Sequence, residues 1–547
     1  MNIAVNQLGF LPGAQKEVTF YEDLQAESFD IIDAADRSVK ASFPMTEKRF
    51  NPNTGNDCRM GDFSAFCETG TYRIKAGDQV SEPFEIGDQV YDGILGESVY
   101  MLHLQRCGCA LSKEEAGDFA HASCHDTPAR IYGTQETIDV TGGWHDAGDY
   151  GRYIVPAAKT IVDVLLAYDR YPKVLDGTNL KIAPSILDEV RWEIDWMLKM
   201  QREDGGVYHK VTCATFPEMD VMPEFEREEL IVCPVSNASA SCFAASLALA
   251  SCVYEETDPA YANRLLEAAE KAFAYVKAHM DEPGFTNPDD IRTGEYGDAN
   301  WIDEYYWAAA QLYRVTAKEE YHDAVKEILK DERALTWGLG WEKSGSYGSL
   351  AYIGAMDCGK RRQNGNPSVK TDPSVLQTVL DALLTEADAY TKAAEEEAFG
   401  CSVLDGSFHW GSNMEVANQG MTCGLLLGSN LVDEQRKIAY AKTFERQIAY
   451  LLGRNGTGYC YVTGFGWRPV KNPHHRPSVA MKKAMRGMLV GGPDNGLHDP
   501  FAEKDLAGKA PELCFLDDSR SYSTNEITIY WNSPLIYLLA QLIGGQA

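Results

Sequence analysis

The stretch from Thr141 to Tyr153, TGGWHDAGDYGRY, sets two carboxylates, Asp146 and Asp149, three residues apart among four glycines. Glycine tolerates positive φ and close backbone approach, so such a loop can hold acidic side chains in a fixed place. Both carboxylates can then point into one cleft, one activating a water while the other holds it. The competing account is an Asx-turn region that happens to carry two aspartates. Far downstream, residues 459–478 read YCYVTGFGWRPVKNPHHRPS, with His474, His475 and Arg476 between two prolines. The prolines pin that loop, and Arg and His side chains suit sugar hydroxyls or a carboxylate, although the stretch alone also reads as a charged surface turn. A third stretch, FLDDSRSYSTNEITIYWNS at 515–533, places Glu526 where a polar loop gives way to an apolar helix. An acid there is ordinarily a first-turn carboxylate favoured by the helix dipole. Its neighbours Asp517, Tyr522 and Asn525, and the carboxylate pair far back in the chain, favour a site instead.

A possible metal set lies just before and within the first stretch: Cys107, Cys109, Cys124, His125 and His145. Two Cys and two His make a closed tetrahedral zinc site, structural in kind. The spacing is not that of a zinc finger, and the alternative is scattered core thiols and solvent-facing imidazoles. Residue types leave Cys107 and Cys109 both open as ligands. Such a site would tie the loop at 107–125 to the loop carrying the two aspartates.

These residues need a large scaffold, and 547 residues supply it. The hydrophobic content of 44% and aromatic content of 11% are those of a globular protein. A net charge of −31 repels phosphate backbones and anionic lipid, which argues against nucleic-acid and membrane partners; a neutral polysaccharide is not repelled. The N-terminus MNIAVNQLGFLPG shows no basic then apolar signal pattern, so the expected compartment is cytoplasmic and reducing, unless a leader has been removed. The uncharged run Ser236–Tyr254, rich in Ala and Ser, reads as a buried core helix. Residues 1–88 carry short alternating runs such as EVTFY (17–21) and GTYRI (70–74) between turn clusters, the pattern of a small β-sandwich. From about residue 94 the pattern becomes long helices over 94–547. Ser185 with Asp188 reads as a helix start, and Asp258-Pro259 and Asp372-Pro373 read as N-caps before a first-turn proline.

Together the three stretches resemble glycoside hydrolase family 9, the cellulase family with an (α/α)6 barrel. GGWHDAGDYGRY is similar to its DAGD loop, the 459–478 stretch to its His-x-Arg signature, and the 515–533 stretch to its C-terminal signature. NQLGFLPGAQKEVTF and DFSAFCETGTYRI resemble the immunoglobulin-like module found ahead of one branch of these enzymes. The resemblance covers the whole chain and implies an immunoglobulin-like β-sandwich followed by an (α/α)6 barrel. It implies inverting hydrolysis, with Glu526 as general acid, Asp149 as general base and Asp146 helping to hold the water, the two working carboxyls being about 6.5–9.5 Å apart. His474, Arg476, Asp517 and Tyr522 are the expected sugar-binding residues. The branch's structural zinc falls on Cys107, Cys124, His125 and His145, and Asp303 and Glu304 in GDANWIDEYY resemble part of a calcium site.

The expected activity is an endo-β-1,4-glucanase, acting as a monomer on cellulose-type glucans and cello-oligosaccharides. An exo-acting cellodextrin β-glucosidase or exo-β-glucosaminidase is the alternative within the same chemistry. Outside it stand a metallohydrolase using His145, Asp146 and Asp149, and a non-catalytic carbohydrate-binding protein.

Overall fold

Alternation of buried and exposed residues builds the first layer. In the computed structural model, which describes residues 3–545 except 22, 23, 25, 178–184 and 357–368, the strands run as follows. They are β1 (Ile3–Ala4), β2 (Gly9–Phe10), β3 (Glu17–Tyr21), β4 (Ser28–Asp33), β5 (Val39–Pro44), β6 (Arg49–Asn51), β7 (Asn56–Asp62), β8 (Gly70–Ala76), β9 (Gln79–Val80) and β10 (Phe84–Ile86). One sheet has the order β1-β3-β7-β6; the other has β2-β10-β8-β4-β5, with β9 beside β8. In β8, Tyr72, Ile74 and Ala76 point inward, every second residue, as a half-buried strand requires. Between the sheets lie Phe10, Phe20, Phe29, Ile31, Phe63, Ile74 and Phe84. Phe10 meets Phe63 edge to face with centroids 5.4 Å apart, a favourable quadrupole geometry.

The helical part alternates two kinds of helix. Its helices of eight residues or more, among the described residues, are α1 (Asp92–Leu104), α2 (Ile154–Arg170), α3 (Ile186–Lys199), α4 (Asn237–Tyr254), α5 (Pro259–Ala278), α6 (Ile302–Thr316), α7 (Glu319–Ile328), α8 (Gly345–Tyr352), α9 (Pro373–Glu396), α10 (Ser412–Leu427), α11 (Glu434–Leu451) and α12 (Ile529–Gly544). The even-numbered helices form the inner ring: α2 packs on α4, α4 on α6, α6 on α8, α10 on α12 and α12 on α2, with α9 touching both α8 and α10. Each odd-numbered helix lies outside, on an inner neighbour, which is the (α/α)6 architecture. Inner helices are buried nearly all round, and α4 is buried along its whole length. By length and composition α4 alone, among the described residues, could cross a membrane, and here it is a core helix. Outer helices such as α3 and α11 bury one stripe. The caps form as read: Ser185 accepts from the Asp188 amide, Asp258 from Tyr261, and Asp372 from Ser374 and Val375.

A small third sheet was not apparent in the sequence. It contains β11 (Ala129–Ile131), β12 (Thr137–Ile138), β13 (Arg152–Tyr153), β14 (Lys210–Thr212) and β15 (Ile231–Val232), in the order β12-β11-β15-β14-β13. It stitches together the long loops at one end of the barrel, and β13 begins three residues after Asp149.

The sandwich is fastened to the barrel by buried charge. The Glu17 carboxylate accepts from Arg446 Nη2 at 2.7 Å and from Arg454 Nη1 at 2.7 Å. The Arg454 side chain is 1% exposed. Burial pushes the Glu17 carboxyl up, but the two guanidiniums prevail and bring it down to about 2. A depressed carboxyl contributes stability that is complete above its ordinary value near 4.5 and is lost as pH falls towards about 2. Glu17→Ala should therefore cost about 3–5 kcal/mol at neutral pH, because it strands a buried arginine. Urea unfolding at pH 7 and at pH 3 checks this: the gap between wild type and variant should narrow at the lower pH.

Candidate active site

Three distant segments meet in backbone contact at one end of the barrel. The Arg476 amide donates to the Gly148 carbonyl at 3.2 Å, and its Nη1 donates to the same oxygen at 2.8 Å. His474 and Glu526 pair as an isolated parallel bridge, and the Ile529 amide donates to the Asp146 carbonyl. Only glycine fits at 148, since a β-carbon there would stand 2.1 Å from the His474 carbonyl oxygen. Asp146, Asp149 and Glu526 thereby line one cleft of about 650 Å³ together with His474, Arg476 and Tyr522.

The two aspartates are held differently. Asp149 Oδ2 accepts from the Gly151 amide at 3.0 Å and the Tyr153 hydroxyl at 2.9 Å. Asp146 Oδ2 accepts from the Tyr296 hydroxyl at 2.5 Å, while its buried Oδ1 has no partner among the described residues. Burial raises both carboxyls. Asp149 is restrained by Arg476 and its two donors, whereas Asp146, facing Asp149 with one donor, is pushed well above the usual range. Asp149 is the better ionised base. Glu526 is half-buried, and desolvation with the charges of Asp149 and Asp146 pushes it well above the carboxylate range against the pull of Arg476 and the Trp410 indole. A proton is kept where an acid needs one.

His474 Nδ1 lies 2.7 Å from the Ser519 carbonyl, so Nδ1 carries the hydrogen and Nε2 is left as an acceptor for a hydroxyl. Burial lowers this imidazole to about 4, so it is neutral at working pH. Tyr522 stands against Trp410 with centroids 5.0 Å apart and donates to the His498 carbonyl. Asp517 corrects the expectation of a sugar contact. It is not among the cleft residues, and its carboxylate instead accepts from the Lys471 and Asn472 amides, tying the second stretch to the third. Sequence reading missed the aromatic walls Phe216, Tyr296, Trp341, Trp410 and Tyr530. Tyr153 stood in the first stretch, but nothing in its spacing showed that it would reach Asp149.

Comparison with known proteins agrees with this geometry. The model of glycosyl hydrolase family 9 matches residues 91–539, and that of the cellulase N-terminal Ig-like domain matches residues 1–81. The chain belongs to glycosyl hydrolase family 9. It is 36% identical to a cellodextrinase of Butyrivibrio fibrisolvens over 99% of both chains. It is 30% identical to endoglucanase D of Acetivibrio thermocellus, over 99% of this chain and 83% of the relative. A thermostable endoglucanase from Alicyclobacillus acidocaldarius superposes with a TM-score of 0.91 at 36% identity, over 99% of both chains. The chain is therefore a glycoside hydrolase.

Among the described residues of this family 9 enzyme, two groups of side chains could hold metal ions. The ligand atoms of Cys107, Cys124, His125 and His145 all lie within 4.8 Å of one another, and all four residues are buried. Cys107 Sγ is 3.6 Å from His125 Nδ1 and Cys124 Sγ is 3.8 Å from His145 Nε2, close to the edges of roughly 3.6 Å that zinc–sulfur and zinc–nitrogen bond lengths imply for a tetrahedron. Cys109 is outside the group, which decides between the two cysteines. The second group is Asp298, Asp303 and Glu304. Asp298 was missed because four residues, Trp301 among them, separate it from Asp303. Both Glu304 oxygens are buried without a partner among the described residues, and burial pushes all three carboxyls up, Asp298 to about 6. Such a trio suits an oxygen-seeking cation. Neither group includes Asp146 or Asp149, and the His145 ring is turned to Cys124, so the metallohydrolase arrangement does not form.

Two outcomes follow. Tyr296→Phe should fold normally and lower kcat by up to about 10²-fold, because Asp146 loses the donor that fixes it; steady-state kinetics with circular dichroism checks this. Chelation should reduce activity slowly and in step with the thermal transition, since an ion held by either group would brace the fold; parallel time courses of rate and Tm test it.

Proposed function

We propose that this enzyme is an inverting endo-β-1,4-glucanase that cleaves cellulose-type glucans and their soluble cello-oligosaccharide fragments. The observation that carries the reading is one cleft in which a hydrogen-bonded carboxyl, Asp149, and a second carboxyl pushed well above the carboxylate range, Glu526, face the same space. Glu526 gives its proton to the glycosidic oxygen as the C1–O bond breaks. Asp149 takes a proton from the water whose oxygen bonds to C1 on the opposite face, and the new reducing end has the inverted configuration. Asp146, which lines the same cleft, helps to hold that water. His474, Arg476 and Tyr522 bind hydroxyls beside the bond that breaks, and exposed rings such as Trp410 carry sugar faces. The names of the relatives, a cellodextrinase and endoglucanases, support β-1,4-glucans as the substrate class. Every cleft residue comes from one chain, so a monomer suffices. Zinc is the ion we assign to the Cys–His group, as a structural brace, and calcium the ion we assign to the carboxylate trio.

Product analysis on cellopentaose tests the reading: internal cleavage with α-configured new reducing ends is expected, and release of single sugars from one end overturns it. The pH profile follows from the two carboxyls. Activity should rise as Asp149 ionises and fall as Glu526 loses its proton, with the alkaline limb well above ordinary carboxylate values. Glu526→Gln should cost about 10²–10⁴-fold in kcat on oligosaccharides and abolish the alkaline limb.

A further inference from the structure

One wall of the cleft is a long connector without regular structure, apart from a single 3-10 turn at Pro223–Phe225. It runs from Cys213 to Leu230, between the paired strands β14 and β15. A connector of this length needs anchors to hold one shape. Four are visible. The Ala214 carbonyl accepts from the Arg292 amide at 2.7 Å. The Pro217 carbonyl accepts from Arg476 Nε and Nη2 at 3.0 and 2.9 Å. The Val221 carbonyl accepts from the Tyr150 hydroxyl at 2.6 Å. Glu226 Oε2 lies 2.8 Å from His125 Nε2.

The last anchor reaches the Cys–His group. His125 turns Nδ1 towards Cys107 and Nε2 towards Glu226, so one imidazole serves the ligand cluster and the connector together. A carboxylate on the far nitrogen of a ligating histidine fixes its ring and tautomer. The Glu226 side chain is 4% exposed, and His125 sits at φ +49°, a left-handed conformation that persists only where surroundings enforce it. At the other end of the connector, Phe216 lines the cleft with 44% of its surface exposed. The Arg476 guanidinium backs its ring at 5.3 Å.

We propose that Glu226 is a positioning residue that couples the Cys–His cluster to the 213–230 connector, and that the connector sets Phe216 as a platform for the face of a sugar ring. The inference rests on the glucanase reading, to which it adds a determinant of substrate binding. The metal-binding cluster then holds a wall of the cleft as well as the catalytic loop. Phe216 offers a stacking face and no group that exchanges a proton or bond with the substrate, so it contributes binding shared by ground and transition states, and its loss appears in KM.

The test uses the full-length chain with Glu226→Ala, Glu226→Gln and Phe216→Ala. Three readouts are compared: bound metal by elemental analysis, limited chymotrypsin digestion, and kcat and KM on cellopentaose. Glu226→Ala should retain its metal, become cleavable within 213–230, and show KM raised about tenfold with kcat changed much less. Glu226→Gln, which keeps an acceptor, should restore most of both properties. Phe216→Ala should reproduce the rise in KM with wild-type metal content. The proposal is overturned if Glu226→Ala keeps wild-type digestion and KM, or if it loses metal and kcat together while glutamine gives no rescue. Digestion and metal content are read without substrate, so they report on the tether even if wild type fails to cleave cellopentaose, a failure that would count against the glucanase reading alone.

Discussion

The active site depends on close approach of three backbones. Gly148 packs against the His474 carbonyl, Arg476 clamps the Gly148 carbonyl through both its amide and its guanidinium, and His474 pairs with Glu526. Residues 146–149 and 526 are far apart in the chain, and side-chain contacts alone would leave their separation loose. Backbone hydrogen bonds between the segments restrain it. The inner ring of helices supplies the platform, since Glu526 lies three residues before α12 and Asp149 five residues before α2, and these helices pack directly on each other.

Three carboxyls in one cleft repel, and the structure uses that repulsion unevenly. Asp149 receives two donors and the field of Arg476; Asp146 receives one donor; Glu526 has Arg476 and the Trp410 indole set against desolvation and the charges of both aspartates. Remaining ionised is easiest where donors are most numerous, and a proton is retained where desolvation and like charges outweigh them. One arginine serves two purposes, because Arg476 favours ionised Asp149 while its guanidinium is immobilised by the Gly148 and Pro217 carbonyls.

Much of this was legible in the sequence because it is local. The three stretches, the four Cys–His ligands once family likeness chose Cys107, and the amphipathic outer helices all show in spacing or periodicity. What escaped is non-local or aperiodic. Helix α8, GSYGSLAY, is buried throughout and has no polar stripe to betray it. Tyr296 reaches Asp146 across 150 positions, and no spacing rule connects them. Asp517 misled because a carboxylate inside a site signature looks like a ligand for substrate, whereas two backbone amides had the stronger claim on it.

The N-terminal sandwich belongs to the same chain of supports. Its Gln7 amide donates to the Leu452 carbonyl, its Gln7 side chain donates to the Gly458 carbonyl at 2.9 Å, and the Arg468 amide donates back to Gln7 Oε1 at 3.0 Å. Trp467 packs on the sandwich core. These contacts grip the segment that runs from the end of α11 to His474 and Arg476. Glu17 secures the same region from the other side through Arg446 and Arg454. The segment from the end of α11 to His474 has no helix or strand of its own to keep it in place. The sandwich supplies a surface against which the segment leading to Arg476 packs, and Arg476 in turn favours ionised Asp149.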